Sequence, residues 1–494
     1  MWRFIHSISV PLFTLAALIF IAGALADAKD FSSSATLKLS IMPQTFADIY
    51  GAKCLDGSPP YRYDLVQDPT RWVLFFEGGG WCFTASDCAA RAQGGGGSSR
   101  YAGPTAFVGG LLSPDPSVNP RFHNYSLVFL KYCDGTSHTS FREQPVNITK
   151  EWREHENIEQ GVDGLLQHSL PQQIWMRGRA VLQAQIVDLL INAGMKNAKE
   201  IIISGGSAGA TTVYLGLDYM SALVKAYAPQ ARVVGAPDAG FFLDVQSVIT
   251  GDYMYRNSFI AADMQLWNGT YSGNLNTDCL SAFPSEPWRC YLAQHAAPFI
   301  ITPFFISNAA YDAYQTPYIM QLQCTPNAAV GGFPQCNATQ MVDFVQYRAR
   351  QIDAMRATLA SHPYTGAVVI SCFVHEINVD YCSGQALPNC LGWNAYTVSA
   401  PGYPPDLSAN DIFSAWYSGI LDNWDKVIVA RLSAHTALLK LAESSNGKDI
   451  LSQLGNAWHA YSGPMNTEGA PLGVEQIIDP LDFPNNPSCP FPRK

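Results

Sequence analysis

The sequence predicts an α/β fold, a mainly parallel sheet flanked by helices. Glu200-Ile201-Ile202-Ile203 is an apolar, β-branched run closed by Ser204-Gly205-Gly206, and it reads as a strand buried on both faces. Residues 208–227 follow at once and read as a helix, with Leu215, Tyr219, Leu223 and Tyr227 spaced by four. The same alternation of short apolar runs with helical segments recurs on both sides, as a parallel sheet with helical crossovers requires.

In chain order, residues 1–26 read as a cleavable leader. Arg3 supplies its positive start, Leu12 to Ala22 its apolar core, and Ala24-Leu25-Ala26 a small-residue cleavage site. An uncleaved membrane anchor is the alternative; no later stretch nears the roughly 20 apolar residues of a span. The mature chain, residues 27–494, is therefore expected to be a single exported domain without a membrane span, working outside the cell, with the cell wall as a candidate location. Arg71-Trp72-Val73-Leu74-Phe75-Phe76 is the first expected strand and runs into Glu77-Gly78-Gly79-Gly80-Trp81-Cys82. The Gly94-Gly95-Gly96-Gly97-Ser98-Ser99 run is expected to be a flexible loop, and it lacks the lysine of a phosphate-cradling motif. Ser126 to Lys131 is the second strand, ending at Tyr132-Cys133-Asp134-Gly135. A helix is expected over 173–193, then the 200–203 strand and the 208–227 helix, then a strand at Arg232 to Ala236 that turns at Pro237-Asp238-Ala239-Gly240. Two more strands are expected, from Phe299 to Ile306 and from Ala367 to Ser371, ending at Asn308-Ala309-Ala310-Tyr311-Asp312 and at Cys372-Phe373-Val374-His375. Residues 380–410 read as an insertion or lid, and the proline-rich tail from Leu481 is expected to be held by Cys489.

All 12 cysteines follow residue 26, an even number suited to a disulfide-stapled exported chain. Asn124, Asn147, Asn268 and Asn337 begin glycosylation sequons. The formal net charge is −10, and one unit more negative once Arg3 leaves with the leader, which disfavours nucleic acid as a partner.

Chemistry gathers outside the carboxyl ends of parallel strands. Gly205-x-Ser207-x-Gly209 stands at the turn from strand to helix, where a hydroxyl is lifted clear of the sheet and faces the positive end of a helix dipole. A serine becomes a nucleophile only when a positioned base takes its proton and an acid orients that base. Asp312 and His375 both follow strands, and the order Ser207, Asp312, His375 is that of the α/β-hydrolases. Asp238, also just past a strand, is the competing acid. His375-Glu376 has the start of a zinc motif, but position 379 is Val, so neither metal nor organic cofactor is expected.

Six motifs in order add a resemblance. Phe76 to Cys82, Tyr132 to Gly135, Ser204 to Gly209, Asp238-Ala239-Gly240-Phe241-Phe242-Leu243, Asn308 to Asp312 and Ser371 to His375 together resemble the pectin acetylesterase/Notum family of secreted carboxylesterases, over roughly residues 40–480. The resemblance implies Ser207, Asp312 and His375 as nucleophile, acid and base. It also implies the amides of Gly79, Gly80 and Ala208 as oxyanion donors, and disulfides Cys82–Cys88 and Cys54–Cys133. Trp81 is a candidate for stacking on a sugar, with core packing as its alternative, and Glu77 reads as a structural carboxylate. Two departures stand out. Ala210 replaces the glycine usual after the elbow, and Glu376-Ile377 after the histidine is Notum-like, whereas Cys133-Asp134-Gly135 and Asn308-Ala309-Ala310 are pectin-type.

The expectation is thus a monomeric serine carboxylesterase that removes acetyl groups from pectin or a related cell-wall polysaccharide. The alternatives are a Notum-like deacylase of a fatty-acylated secreted protein, which needs a deep apolar pocket, and a non-catalytic polysaccharide-binding glycoprotein, which needs a broken triad.

Overall fold

A computed structural model describes residues 36–106, 108–148, 171–270, 275–325, 334–378, 393–394, 396–399, 404–445, 476–479 and 489. The leader, the centre of the 380–410 insertion and most of the tail lie outside them. Ten strands form the main sheet: β1 (Leu37–Ile41), β2 (Tyr61–Leu65), β3 (Arg71–Phe76), β4 (Thr105–Ala106), β5 (Ser126–Leu130), β6 (Glu200–Gly206), β7 (Arg232–Asp238), β8 (Phe305–Ala309), β9 (Gly366–Ile370) and β10 (Gln476–Ile478). Their spatial order is β10-β9-β8-β7-β6-β3-β5-β2-β1-β4. Every neighbouring pair from β10 to β5 is parallel. Beyond β5, the strands β2, β1 and β4 add an antiparallel edge.

Alternate side chains of each central strand feed opposite layers. Trp72, Leu74, Phe76, Ile201 and Ile203 pack into one core, and Val73, Phe75, Ile202 and Val234 into the other. Burial on both faces is why these strands are apolar throughout. Helices cover both layers. α1 (Ala85–Arg91), α2 (Gly178–Ile191), α3 (Ala208–Tyr227), α4 (Met254–Ala262) and α5 (Ala338–Ser361) contribute to the first, and α6 (Ala409–Asp422) contributes Ile412, Phe413 and Trp416 to the second. α7 (Trp424–Ser445) follows α6 in the chain.

Three expectations change in detail. The helix expected from 173 starts at Gly178, because Trp175 donates its amide to Leu55 and Met176 accepts from Arg142, which pulls this segment into extended pairing. The strand expected from Phe299 starts at Phe305, because the amides of Ile301 and Thr302 go to the Asp218 carboxylate at 2.9 and 2.8 Å rather than to a neighbouring strand. In α3 the buried face carries Val213, Leu217, Met220 and Val224, whereas Tyr227 is 45% exposed. A strict four-residue spacing drifts around a 3.6-residue helix, so the stripe runs from buried Leu215 through half-buried Tyr219 and Leu223 to exposed Tyr227.

Among the described residues five disulfides form: Cys54–Cys133, Cys82–Cys88, Cys279–Cys290, Cys324–Cys336 and Cys372–Cys489. Both pairings implied by the resemblance are present, and Cys489 does anchor the tail. No helix among the described residues is long and apolar enough to cross a membrane.

Candidate active site

The carboxyl ends of β3, β6, β7, β8 and β9 converge, and each delivers one component. Ser207 closes β6 with φ 53° and ψ −120°, a sharp turn that reverses the chain into α3. The turn is possible because Gly209 is bare: a Cβ there would lie 2.1 Å from the carbonyl oxygen of Phe76. Ala210, where a further glycine was expected, packs against Gly240. A Cβ at Gly240 would fall 2.4 Å from the Ala210 methyl, so the two positions cannot both carry one as they stand.

His375 lies beyond β9, its Nε2 2.8 Å from Ser207 Oγ. Its Nδ1 lies 3.1 and 3.0 Å from the two carboxylate oxygens of Asp312, beyond β8. Asp312 is fully buried and also accepts the amides of Tyr314 and Gln315, both at 2.8 Å, which fix its carboxylate plane. Burial opposes a charge on the His375 imidazole. The Asp312 charge and hydrogen bond outweigh it, with Glu376 and Asp238 adding to them, and the pKa is pushed up to about 9. The three residues singled out from the sequence are thus one hydrogen-bonded chain.

Gly79 and Gly80 follow β3 with φ 131° and 65°, values that suit residues without a Cβ. Ala208 is the first residue of the 20-residue α3. None of these three amides donates to a described residue, so all are open to an oxyanion. Trp81 is placed differently from a stacking platform. It is 8% exposed, its indole N–H donates to Ser137 Oγ at 2.8 Å, and its ring packs edge-on against Phe242, Tyr255 and Phe259. Glu77 pairs with Lys131 and accepts the Tyr132 amide, as its structural reading implied.

Asp238 has a different place from Asp312. Its backbone carbonyl accepts the Ser207 amide at 2.9 Å, and its buried carboxylate accepts the amides of Ile377 and Asn378, the nearest contacts being 2.9 and 2.6 Å. One residue thereby ties the serine turn to the histidine loop. Burial and then the Glu376 charge push the Asp238 pKa well above the usual carboxylate range. Sequence reading missed two further contributors. Tyr314 stacks on His375 at 5.3 Å and shares a hydrogen bond with Tyr255, and its spacing two residues after Asp312 was the available signal. The Asp134-to-His138 loop braces the start of α3 from behind, through Ser137 Oγ donating to the Ala208 carbonyl at 2.7 Å.

A hydroxyl, an oriented imidazole and open amides are the equipment for acyl transfer, and sequence comparison gives the same direction. A family model described as Pectinacetylesterase matches residues 32–390. The chain belongs to the pectinacetylesterase family. Pectin acetylesterase 7 of Arabidopsis thaliana is 30% identical over 339 residues, 66% of this chain and 76% of that protein. Pectin acetylesterase 11 of the same plant is 30% identical over 71% of this chain and 81% of its own length. The palmitoleoyl-protein carboxylesterase NOTUM of Drosophila melanogaster is 30% identical over 53% of this chain and 36% of its own length. Pectinacetylesterase family membership makes the chain a carboxylic ester hydrolase. In the crystal structure of the Wnt deacylase Notum from Drosophila, 93% of that chain superposes on 78% of this one at TM-score 0.59 and 23% identity, which shows the shared fold.

Proposed function

We propose that this pectinacetylesterase family member is an exported serine esterase that removes acetyl groups from an acetylated cell-wall polysaccharide, pectin above all, through an acyl-enzyme on Ser207. The observation that carries this is the Ser207–His375–Asp312 chain at 2.8 and 3.0 Å. Ser207 Oγ attacks the acetyl carbonyl as its proton passes to His375 Nε2, and the oxyanion settles on the amides of Gly79, Gly80 and Ala208. Collapse returns the proton to the departing sugar hydroxyl and leaves acetyl-Ser207. Water, deprotonated by His375, then releases acetate and restores the serine. Asp312 holds the proton of Nδ1 throughout.

Phe242 and Tyr314 pack against the His375 ring, and Phe242 is packed in turn on Trp81 and Tyr255, an aromatic crowding that favours a short acyl group over a long chain. Five disulfides, with exposed Asn124, Asn147 and Asn337 in their sequons, support an oxidising compartment.

The test uses purified protein, aryl esters with acyl chains from two to sixteen carbons, and acetylated pectin and xylan. Acetyl esters should turn over fastest, with acetate released from the polymers. A fluorophosphonate should label Ser207 and nothing in Ser207→Ala. Efficient cleavage of sixteen-carbon esters with inert acetyl esters would assign the chain to lipid deacylation instead.

A further inference from the structure

A cleft of about 550 Å³ opens beside the serine site, and the mechanism above does not use it. Its walls include Gly79, Gly95, Arg91, Lys131 and Glu77. We propose that this cleft is a subsite for the carboxylate of a uronic acid unit in the polysaccharide, read by Arg91; the inference rests on the polysaccharide reading.

Position comes first. The cleft and the serine site share the wall formed by Gly78 and Gly79, and a Cβ at Gly78 would lie only 3.0 Å from Ser207 Cβ. A sugar presenting its ester to Ser207 therefore extends its own ring, or the next one, into the cleft.

Charge decides the ligand class. Lys131 is neutralised by Glu77 within the same wall. The Arg91 guanidinium meets carbonyls only, with Nε donating to Gly96 at 2.8 Å and Nη1 to Gly79 at 2.7 Å, and it lies 4.8 Å from the Tyr132 ring centre. No carboxylate pairs with it among the described residues. A guanidinium pinned on two edges and stacked on a ring is already ordered, so an incoming carboxylate costs little further side-chain entropy. On a chain of net charge −10, such an uncompensated cation selects for an anion arriving on the substrate.

Shape agrees with a sugar ring. Beside Arg91 the lining is the Gly94-Gly95-Gly96 backbone, held in place by Tyr61 donating to the Gly95 carbonyl at 2.8 Å. Bare backbone of this kind lets a ring approach closely.

Inhibition of aryl acetate hydrolysis tests the subsite directly. The probes are de-acetylated oligogalacturonate, its fully methyl-esterified neutral form, and a neutral xylo-oligosaccharide. Only the free acid should inhibit strongly, and raising the salt should weaken it. Arg91→Gln should weaken that inhibition about tenfold or more, the size of a lost charge-assisted hydrogen bond, and Arg91→Lys less. If Arg91 serves only to hold Gly79, kcat on aryl acetate falls while the inhibition constant stays put, and the proposal is overturned. Equal inhibition by free and methyl-esterified oligomers in the unaltered protein overturns it without any variant. The polysaccharide reading fails separately, if neither acetylated pectin nor acetylated xylan releases acetate.

Discussion

Two aspartates end neighbouring parallel strands, and their surroundings give them different work. Asp312 aims both carboxylate oxygens at His375 Nδ1, whereas Asp238 spends its carboxylate on the amides of Ile377 and Asn378. Asp312→Asn should therefore cut kcat by about 10⁴, because an amide can select the wrong imidazole tautomer. Asp238→Asn keeps one acceptor but sets an NH2 against a backbone N–H, which should cost about 1–3 kcal/mol of stability. Its activity on aryl acetate should stay well above that of Asp312→Asn. Kinetics and urea melts on both variants check this, and the reverse ranking in folded proteins would reassign the acid. The base carries its own prediction. His375 accepts a proton only when neutral, and its pKa is pushed up to about 9, so kcat/KM should climb with pH through the alkaline range. Glu376 contributes to that rise, so Glu376→Gln should move the midpoint to lower pH. A midpoint that does not move would remove Glu376 from the electrostatics of the site.

At the scale of elements, the pieces legible in the sequence were those whose cause is local. β3, β5, β6 and β7 stand out because burial on both faces demands unbroken apolar runs, and α3 starts at Ala208, directly after the small-residue turn that closes β6. Ser207, Asp312 and His375 were legible for a related reason, since each lies just past such a run. Elements decided by distant partners were not legible. The short strand β1, Leu37–Ile41, owes its existence to β2 and β4 on either side of it. The delayed start of β8 is a case of the same kind, because Arg431 on α7 is fully buried and donates to the carbonyls of Ile300, Ile301, Thr302 and Pro363 and to Thr365 Oγ1. Nothing near residue 300 announces an arginine so far along the chain. Arg431→Met should leave these acceptors unsatisfied and destabilise the protein by about 3 kcal/mol or more, seen as a lower denaturation midpoint. A change below 0.5 kcal/mol would show that water replaces the guanidinium.

Across the whole molecule, buried histidines contribute to how stability follows pH. Burial, then Arg289 and Arg256, push His295 down to about 3, and burial, then Arg431, push His362 to about 2. A histidine depressed in this way stays neutral when folded but takes a proton when unfolded. Its contribution is complete above the ordinary value near 6.5 and is lost as pH falls from there toward the folded pKa. Each should cost about 1.4 kcal/mol per pH unit across that window. His375 acts in the opposite sense: its raised pKa stabilises fully below 6.5 and loses that contribution as pH rises through about 9. Melting temperatures measured from pH 4 to 9 should fall at the acid end, and His362→Gln should flatten that fall. Identical acid slopes in both proteins would show that His362 does not carry it.

The bond from Cys372 to Cys489 joins the strand end that leads into His375 to a cysteine 117 residues further along the chain. Beside it, β10 adds the last parallel strand against β9. Ser207 and Asp312 are therefore translated long before the cysteine that anchors the strand end leading to His375. The loop that carries His375 thus takes its last covalent neighbour from a stretch of chain made well after the loop itself.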